Sequence, residues 1–172
     1  MYEDSHLLVL NKNAGMNVHP GDYKTKESSV ITQVQDYLGG KLDSLTFKPS
    51  LVHRIDRDTS GVLLVAKKKQ ILTQLVADFR TNPPPSSGHL PPIKGEGKKE
   101  VKKTYYAIVL GKLSRDSGTI RKKLLRIEGA KNENKVQVSE KGQTAITHYK
   151  KLAEHQIQTI QGSLIITEVE VT

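Results

Sequence analysis

Apolar residues fall in short clusters along the chain, and their spacing predicts its elements. His6 to Leu10 is a short, mostly aliphatic run that reads as a strand. A loop holding Gly15, His19, Pro20 and Gly21 follows it. Between Ser29 and Leu38, the apolar residues Val30, Ile31, Val34 and Leu38 recur on one side of a helix; Ser29 suits the cap and Gly39-Gly40 the stop. Val62 to Ala66 is apolar without interruption, as expected of a strand covered on both faces. Ile71, Leu72, Leu75, Val76 and Phe79 form a second helical stripe, expected to face a core rather than a ligand. Thr104 to Leu110 reads as a strand. Shorter β candidates follow at Gly118–Ile120, Val136–Val138, Ala145–Leu152 and Gln156–Ile160, and Ser163–Thr172 alternates as a final strand. There is no internal repeat. Many strands with two helices predict an α+β fold, with a mixed, mostly antiparallel sheet and flanking helices.

One segment breaks the pattern. Residues 81–99 hold five of the seven prolines among Ser, Gly and Lys, so a disordered insertion is expected there. The last strand runs to Thr172 with no polar turn after it, so the domain is expected to continue past this point.

The 172 residues suit one domain that can bury a sizeable core. Lys+Arg of 27 against Asp+Glu of 18 leaves a formal net charge of +9. Such a surplus favours a polyanionic partner, nucleic acid first, although an acidic membrane surface would select the same balance. The absence of cysteine removes disulfides, thiolate nucleophiles and Cys-based zinc sites. No apolar run approaches the roughly 20 residues of a membrane span, and the opening Met1-Tyr2-Glu3-Asp4 lacks the order of a signal peptide. A cytoplasmic, monomeric protein is the expectation.

The chemistry concentrates in His53-Arg54-Ile55-Asp56-Arg57-Asp58-Thr59-Ser60-Gly61, directly before the apolar run at Val62. Polar groups this close to a core need partners. Two structural accounts fit the residues: an ion-paired turn joining Asp56 and Asp58 to Arg54 and Arg57, or a turn capped by Asp58 or Thr59 with Gly61 at an unusual backbone angle. Among enzymatic accounts, the segment is superficially similar to the His-Arg-Asp loop of protein kinases, but an extra residue separates Arg from Asp and no Gly-rich phosphate loop precedes it. His53, Asp56 and Asp58 have the donor types of a metal site, yet the adjacent arginines repel a cation. Nothing suggests the desolvated carboxyl of a glycosidase acid. A single ionised aspartate beside arginines suits a nucleophile or base acting on an anionic substrate.

The same stretch resembles the His-Arg-Leu-Asp-x-x-Thr-Ser-Gly signature of RluA-type RNA pseudouridine synthases, with Ile55 in place of Leu. Asn11-Lys12-Asn13-Ala14-Gly15 with His19-Pro20 resembles the family's Asn-Lys-Pro-x-Gly loop, Asn13 standing for the usual proline. Lys103-Thr104-Tyr105-Tyr106-Ala107 resembles its Lys-x-Tyr-x-Ala strand, and Gly142 to Tyr149 a later strand. The resemblance spans nearly the whole chain in the family's order. It implies a pseudouridine synthase fold over 1–172, incomplete at the C-terminus, where the family's Gly-Arg-x-His-Gln-Ile/Leu-Arg motif would follow. It implies Asp56 as the catalytic nucleophile and His53, Arg54, Arg57 and Tyr105 as substrate contacts, Arg54 filling the place of an extruded uridine and Tyr105 packing on it. It implies ribosomal or transfer RNA as partner and no cofactor or metal. The alternative is a non-catalytic RNA-binding fragment of such an enzyme.

Overall fold

A computed structural model describes residues 1–20, 28–39, 46–79, 101–128 and 134–172. The Pro-rich segment expected to be disordered, 81–99, lies outside the described residues. The chain divides into two compact units, Met1–Val101 and Lys102–Thr172.

The first unit is built on a four-stranded antiparallel sheet. Its strands are β1 (Tyr2–Glu3), β2 (Leu7–Lys12), β3 (Ser50–Leu51) and β4 (Gly61–Ala66), in the order β1-β2-β4-β3. The β2–β4 ladder runs from Leu7 opposite Ala66 to Lys12 opposite Gly61. Helix α1 (Val30–Leu38) presents Val30, Ile31, Val34 and Leu38 inward, as the periodicity predicts. Ser29 is fully buried at its N-cap, where its hydroxyl accepts from Thr32 N at 3.3 Å. Two further donors at this helix end find carbonyls of the preceding loop: Val30 N to Asn17 O at 2.9 Å and Ile31 N to Val18 O at 3.2 Å. The helix stops at Gly39 with an extended backbone, not the left-handed cap glycine often supplies.

The core cluster unites Leu8, Val18, Val30, Val34, Leu38, Ile55, Leu63 and Val65. The expectation that β4 is covered on both faces needs correction. Leu63 and Val65 are fully buried, but Val62 is 61% exposed and Leu64 half-buried, so the strand has one core face. A continuous apolar run conceals that alternation. Helix α2 (Lys69–Phe79) packs along β4 with its expected stripe only half-buried, outside the main cluster. The sheet's N-terminal end is tied down by buried Lys67, whose ammonium meets Glu3 Oε1 and Asp4 O, while the Tyr37 hydroxyl donates to Glu3 Oε2 at 3.0 Å.

The second unit is a five-stranded antiparallel sheet ordered β5-β9-β8-β6-β7. Its strands are β5 (Tyr105–Leu110), β6 (Ser117–Glu128), β7 (Asn134–Val138), β8 (Gln143–Thr159) and β9 (Gly162–Val171). The candidates at 145–152 and 156–160 are one strand of 17 residues, interrupted only by a bulge between Lys151 and Ala153. Likewise β6 continues well past Ile120 through Arg121, Lys122 and Lys123, which face solvent. The final strand, β9, pairs on both sides, with β5 and β8, and buries Thr167 and Val169. The two helices and these antiparallel sheets make the fold α+β, as expected.

Candidate active site

The loop joining β3 to β4 carries the signature residues, and its shape follows from which of them fit the core. Val52 and Ile55 are buried, while Arg54, Asp56, Arg57 and Asp58 are exposed. Val52 extends the ladder through its N–H to Leu64 O at 2.9 Å. Ile55 joins the core cluster directly beside Asp56, so the residues on either side of it, Arg54 and Asp56, project to the surface. A turn follows in which Thr59 N donates to Asp56 O at 3.2 Å. Gly61 then enters β4 with φ +131, the angle the turn demands and a side chain rarely adopts. That fulfils the role expected of it.

A second loop, residues 13–16 after β2, lies against this one because Lys12 and Gly61 are opposite one another in the ladder. The two loops are cross-linked through Arg57. Its carbonyl accepts from Gly15 N at 2.9 Å, and its Nε donates to Gly15 O at 3.1 Å. Gly15 adopts φ +86 to meet it. The Lys12 ammonium donates to the same Arg57 carbonyl at 2.7 Å, and to Asn13 O and Met16 O at 3.0 Å each.

Of the five residues expected at the site, His53, Arg54, Asp56 and Arg57 share this loop. Tyr105 begins β5 in the second unit, opposite Val171 and 37% exposed. The His53 ring stacks on Phe79 of α2, with centroids 4.9 Å apart and planes at 11°. Among the described residues no ion pair joins Asp56 or Asp58 to Arg54 or Arg57, so the ion-paired turn is not formed. The Asp56 side chain is exposed on a loop whose backbone is held by Lys12 and Gly15, and its neighbours in the chain include two exposed arginines, Arg54 and Arg57. Such a group can attack an electrophilic carbon of a substrate whose phosphates the arginines attract. No three His, Asp or Glu side chains gather as metal ligands, and no helix is long and apolar enough to cross a membrane, among the described residues. Sequence reasoning missed Lys12. It lies in the loop motif of the resemblance, but a strand-end lysine reads as solvated until the surrounding carbonyls are seen.

Comparison with known proteins gives these loops a context. The ribosomal large subunit pseudouridine synthase C of Buchnera aphidicola subsp. Baizongia pistaciae is 36% identical over 153 residues, 87% of this chain and 40% of that protein. The uncharacterized RNA pseudouridine synthase YhcT of Bacillus subtilis is 32% identical over 171 residues, 99% of this chain and 48% of its own length. The chain thus spans less than half the length of these relatives. Among solved structures, human RNA pseudouridylate synthase domain containing 1 superposes with a TM-score of 0.67 at 18% identity, covering 99% of this chain and 56% of the other, a likeness of fold. The sequence pattern of the RNA pseudouridylate synthase family matches residues 6–170, and the chain belongs to that family.

Proposed function

We propose that the chain belongs to the catalytic domain of an enzyme that isomerises uridine to pseudouridine in ribosomal or transfer RNA, with Asp56 as nucleophile. Large-subunit ribosomal RNA is the favoured substrate, because the matched relative from Buchnera is named for it. The observation that carries the reading is Asp56 itself: a carboxylate left exposed and without an arginine partner, on a loop held rigidly beneath it.

In this reaction the bond between uracil N1 and ribose C1′ breaks and a bond between C5 and C1′ forms. The C5 proton leaves to solvent and N1 regains one, so the balance needs no oxidant, metal or energy source. Asp56 attacks at the anomeric carbon or on the pyrimidine ring. The uridine first leaves its stack. Arg54 takes up the vacated position, and Tyr105 stacks on the extruded base, a contact of about 1–3 kcal/mol. His53 and Arg57 border the substrate while also fixing the loop. The protein acts as a monomer in the cytoplasm.

The test supplies RNA carrying 5-tritiated uridine to the chain, to its Asp56→Asn variant and to a longer protein containing the chain. Tritium release is expected from the native residue and not from the variant. Release that persists with asparagine at 56 overturns the assignment. RNA binding without release from either length favours the non-catalytic alternative.

A further inference from the structure

The far end of the first sheet carries cations that the candidate active site does not use. Because Ser50 lies opposite Ala66, the chain entering β3 and the chain leaving β4 run side by side there. A cleft of about 380 Å³ opens at this end, lined by Thr46, Phe47, Lys67, Lys68, Lys69 and Gln70. Lys67 is buried, and Glu3 neutralises it. Lys68 and Lys69 are exposed, and among the described residues no carboxylate pairs with either. The Lys68 ammonium instead lies 3.4 Å from His6 Nε2, while the Ser5 hydroxyl meets Nδ1 of the same ring at 2.8 Å. Contact with an imidazole nitrogen leaves the ammonium charge uncancelled and two of its N–H donors unused. Asp4, two residues before His6, is taken up by the N–H groups of His6 and Leu7 and by the Tyr2 hydroxyl.

These lysines stand where they oppose the fold. Three in succession repel one another. Helix α2 begins at Lys69 with no acidic residue in its first turn, and the positive end of a helix disfavours cations. An anion from outside offsets both effects. Gln70 adds a neutral amide donor of the kind that meets phosphate and ribose oxygens, and half-buried Phe47 supplies an apolar wall for a base. Gly61 and Ala66 mark the two ends of β4, so about 17 Å of strand separates the cleft from the loop that carries Asp56. We infer that this cleft is a separate contact for the RNA, in which Lys68 and Lys69 hold backbone phosphates of an unpaired stretch away from the reacting uridine. The inference deepens the reading of the chain as an RNA-modifying protein and rests on it. A concave site with an aromatic wall fits a nucleic-acid strand better than a flat lipid surface.

The test follows the imidazole resonances of His6 and the amides of Lys68 and Gln70 in the full chain. Three probes are added separately: an RNA oligonucleotide without uridine, which cannot react, inorganic phosphate, and vesicles of phosphatidylcholine with phosphatidylserine. The RNA should move these signals at concentrations where neither of the others does. In the Lys68→Gln/Lys69→Gln variant RNA binding should weaken and lose salt dependence. At a single-strand slope of about 0.7 per phosphate contact, two lost contacts shrink the native-to-variant affinity ratio about sevenfold between about 50 and 200 mM salt. With tritiated substrate RNA the variant should raise KM and leave kcat unchanged, as expected of a contact made equally in ground and transition states. Signals that stay still at saturating RNA, equal salt slopes for native and variant, or movement with phosphate or vesicles alone overturn the inference. Tritium release from a chain whose cleft ignores RNA overturns it while the functional reading stands. A cleft that responds to RNA in a chain releasing no tritium upholds the contact and removes the reaction.

Discussion

Ile55 connects the core to the candidate nucleophile, and truncating it tests that connection. Its side chain is 8% exposed and belongs to the cluster with Leu8, Val18, Val30, Val34, Leu38, Leu63 and Val65. Cutting it back to alanine removes the atoms that fill this site and leaves a cavity, at a cost of about 2–5 kcal/mol. Leu10, Met16 and Leu51 are only partly buried around the cluster and can relax into part of the space, which places the cost in the lower half of that range. Ile55→Val should cost about 0.5–1.5 kcal/mol. Val62→Ala is the control, since Val62 is 61% exposed on the same strand system and should shift stability by no more than about 0.5 kcal/mol. Urea titrations read from the amide resonances of Leu63 and Val65 report the first unit separately from the second. Tritium release without urea should also drop by more than the unfolded fraction explains, because Asp56 loses its anchor. The reasoning fails if Ile55→Ala costs no more than Val62→Ala.

Two further outcomes follow from local geometry. Gly61→Ala should destabilise the first unit by about 1–3 kcal/mol, purely from the backbone angle: φ is +131, and an added Cβ would meet no atom within 4 Å. A neutral result in the same titration would show that the turn relaxes to a negative φ. Asp4 gives a pH dependence. The backbone N–H of His6, with the Tyr2 hydroxyl and the Leu7 N–H, lowers its carboxyl from 3.8 to about 2. A depressed carboxyl contributes stability that is full above its unfolded value and lost as pH falls through the folded one. The stability difference between the native chain and Asp4→Asn should therefore hold above pH about 4 and close toward pH about 2. A difference that stays constant across that window refutes the capping role.

Helix α1 was legible because its apolar spacing and its cap, Ser29, agree. β8 was legible only in pieces. An exposed sheet needs no apolar residue at every second position, and the bulge beyond Lys151 shifts the alternation by one. Two fragments with opposite phase therefore read as two strands. Within the site, the crowd of charged and hydroxyl residues directly before the apolar run at Val62 located the loop, and Gly61 announced its turn. Arg57 and Lys12 were harder. An arginine beside an aspartate reads as its ion-pair partner, yet the Arg57 Nε serves the Gly15 carbonyl, 42 positions away. Carbonyl acceptors carry no side-chain signature, so no residue pattern announces where a lysine will find three of them.

The cross-link between the two loops also dictates an order of events as the chain folds. Lys12 and Arg57 are 45 residues apart, and closing a loop of that length is an entropic cost that one hydrogen bond to a carbonyl does not offset. The pairing of β2 with β4, and the burial of Leu63 and Val65 that comes with it, must therefore come first. Until then Asp56 sits on an unconstrained stretch of chain. Asp56, the proposed nucleophile, acquires its setting in the last stage of folding, and a nascent or partly unfolded molecule carries the carboxylate with no defined direction in which to present it.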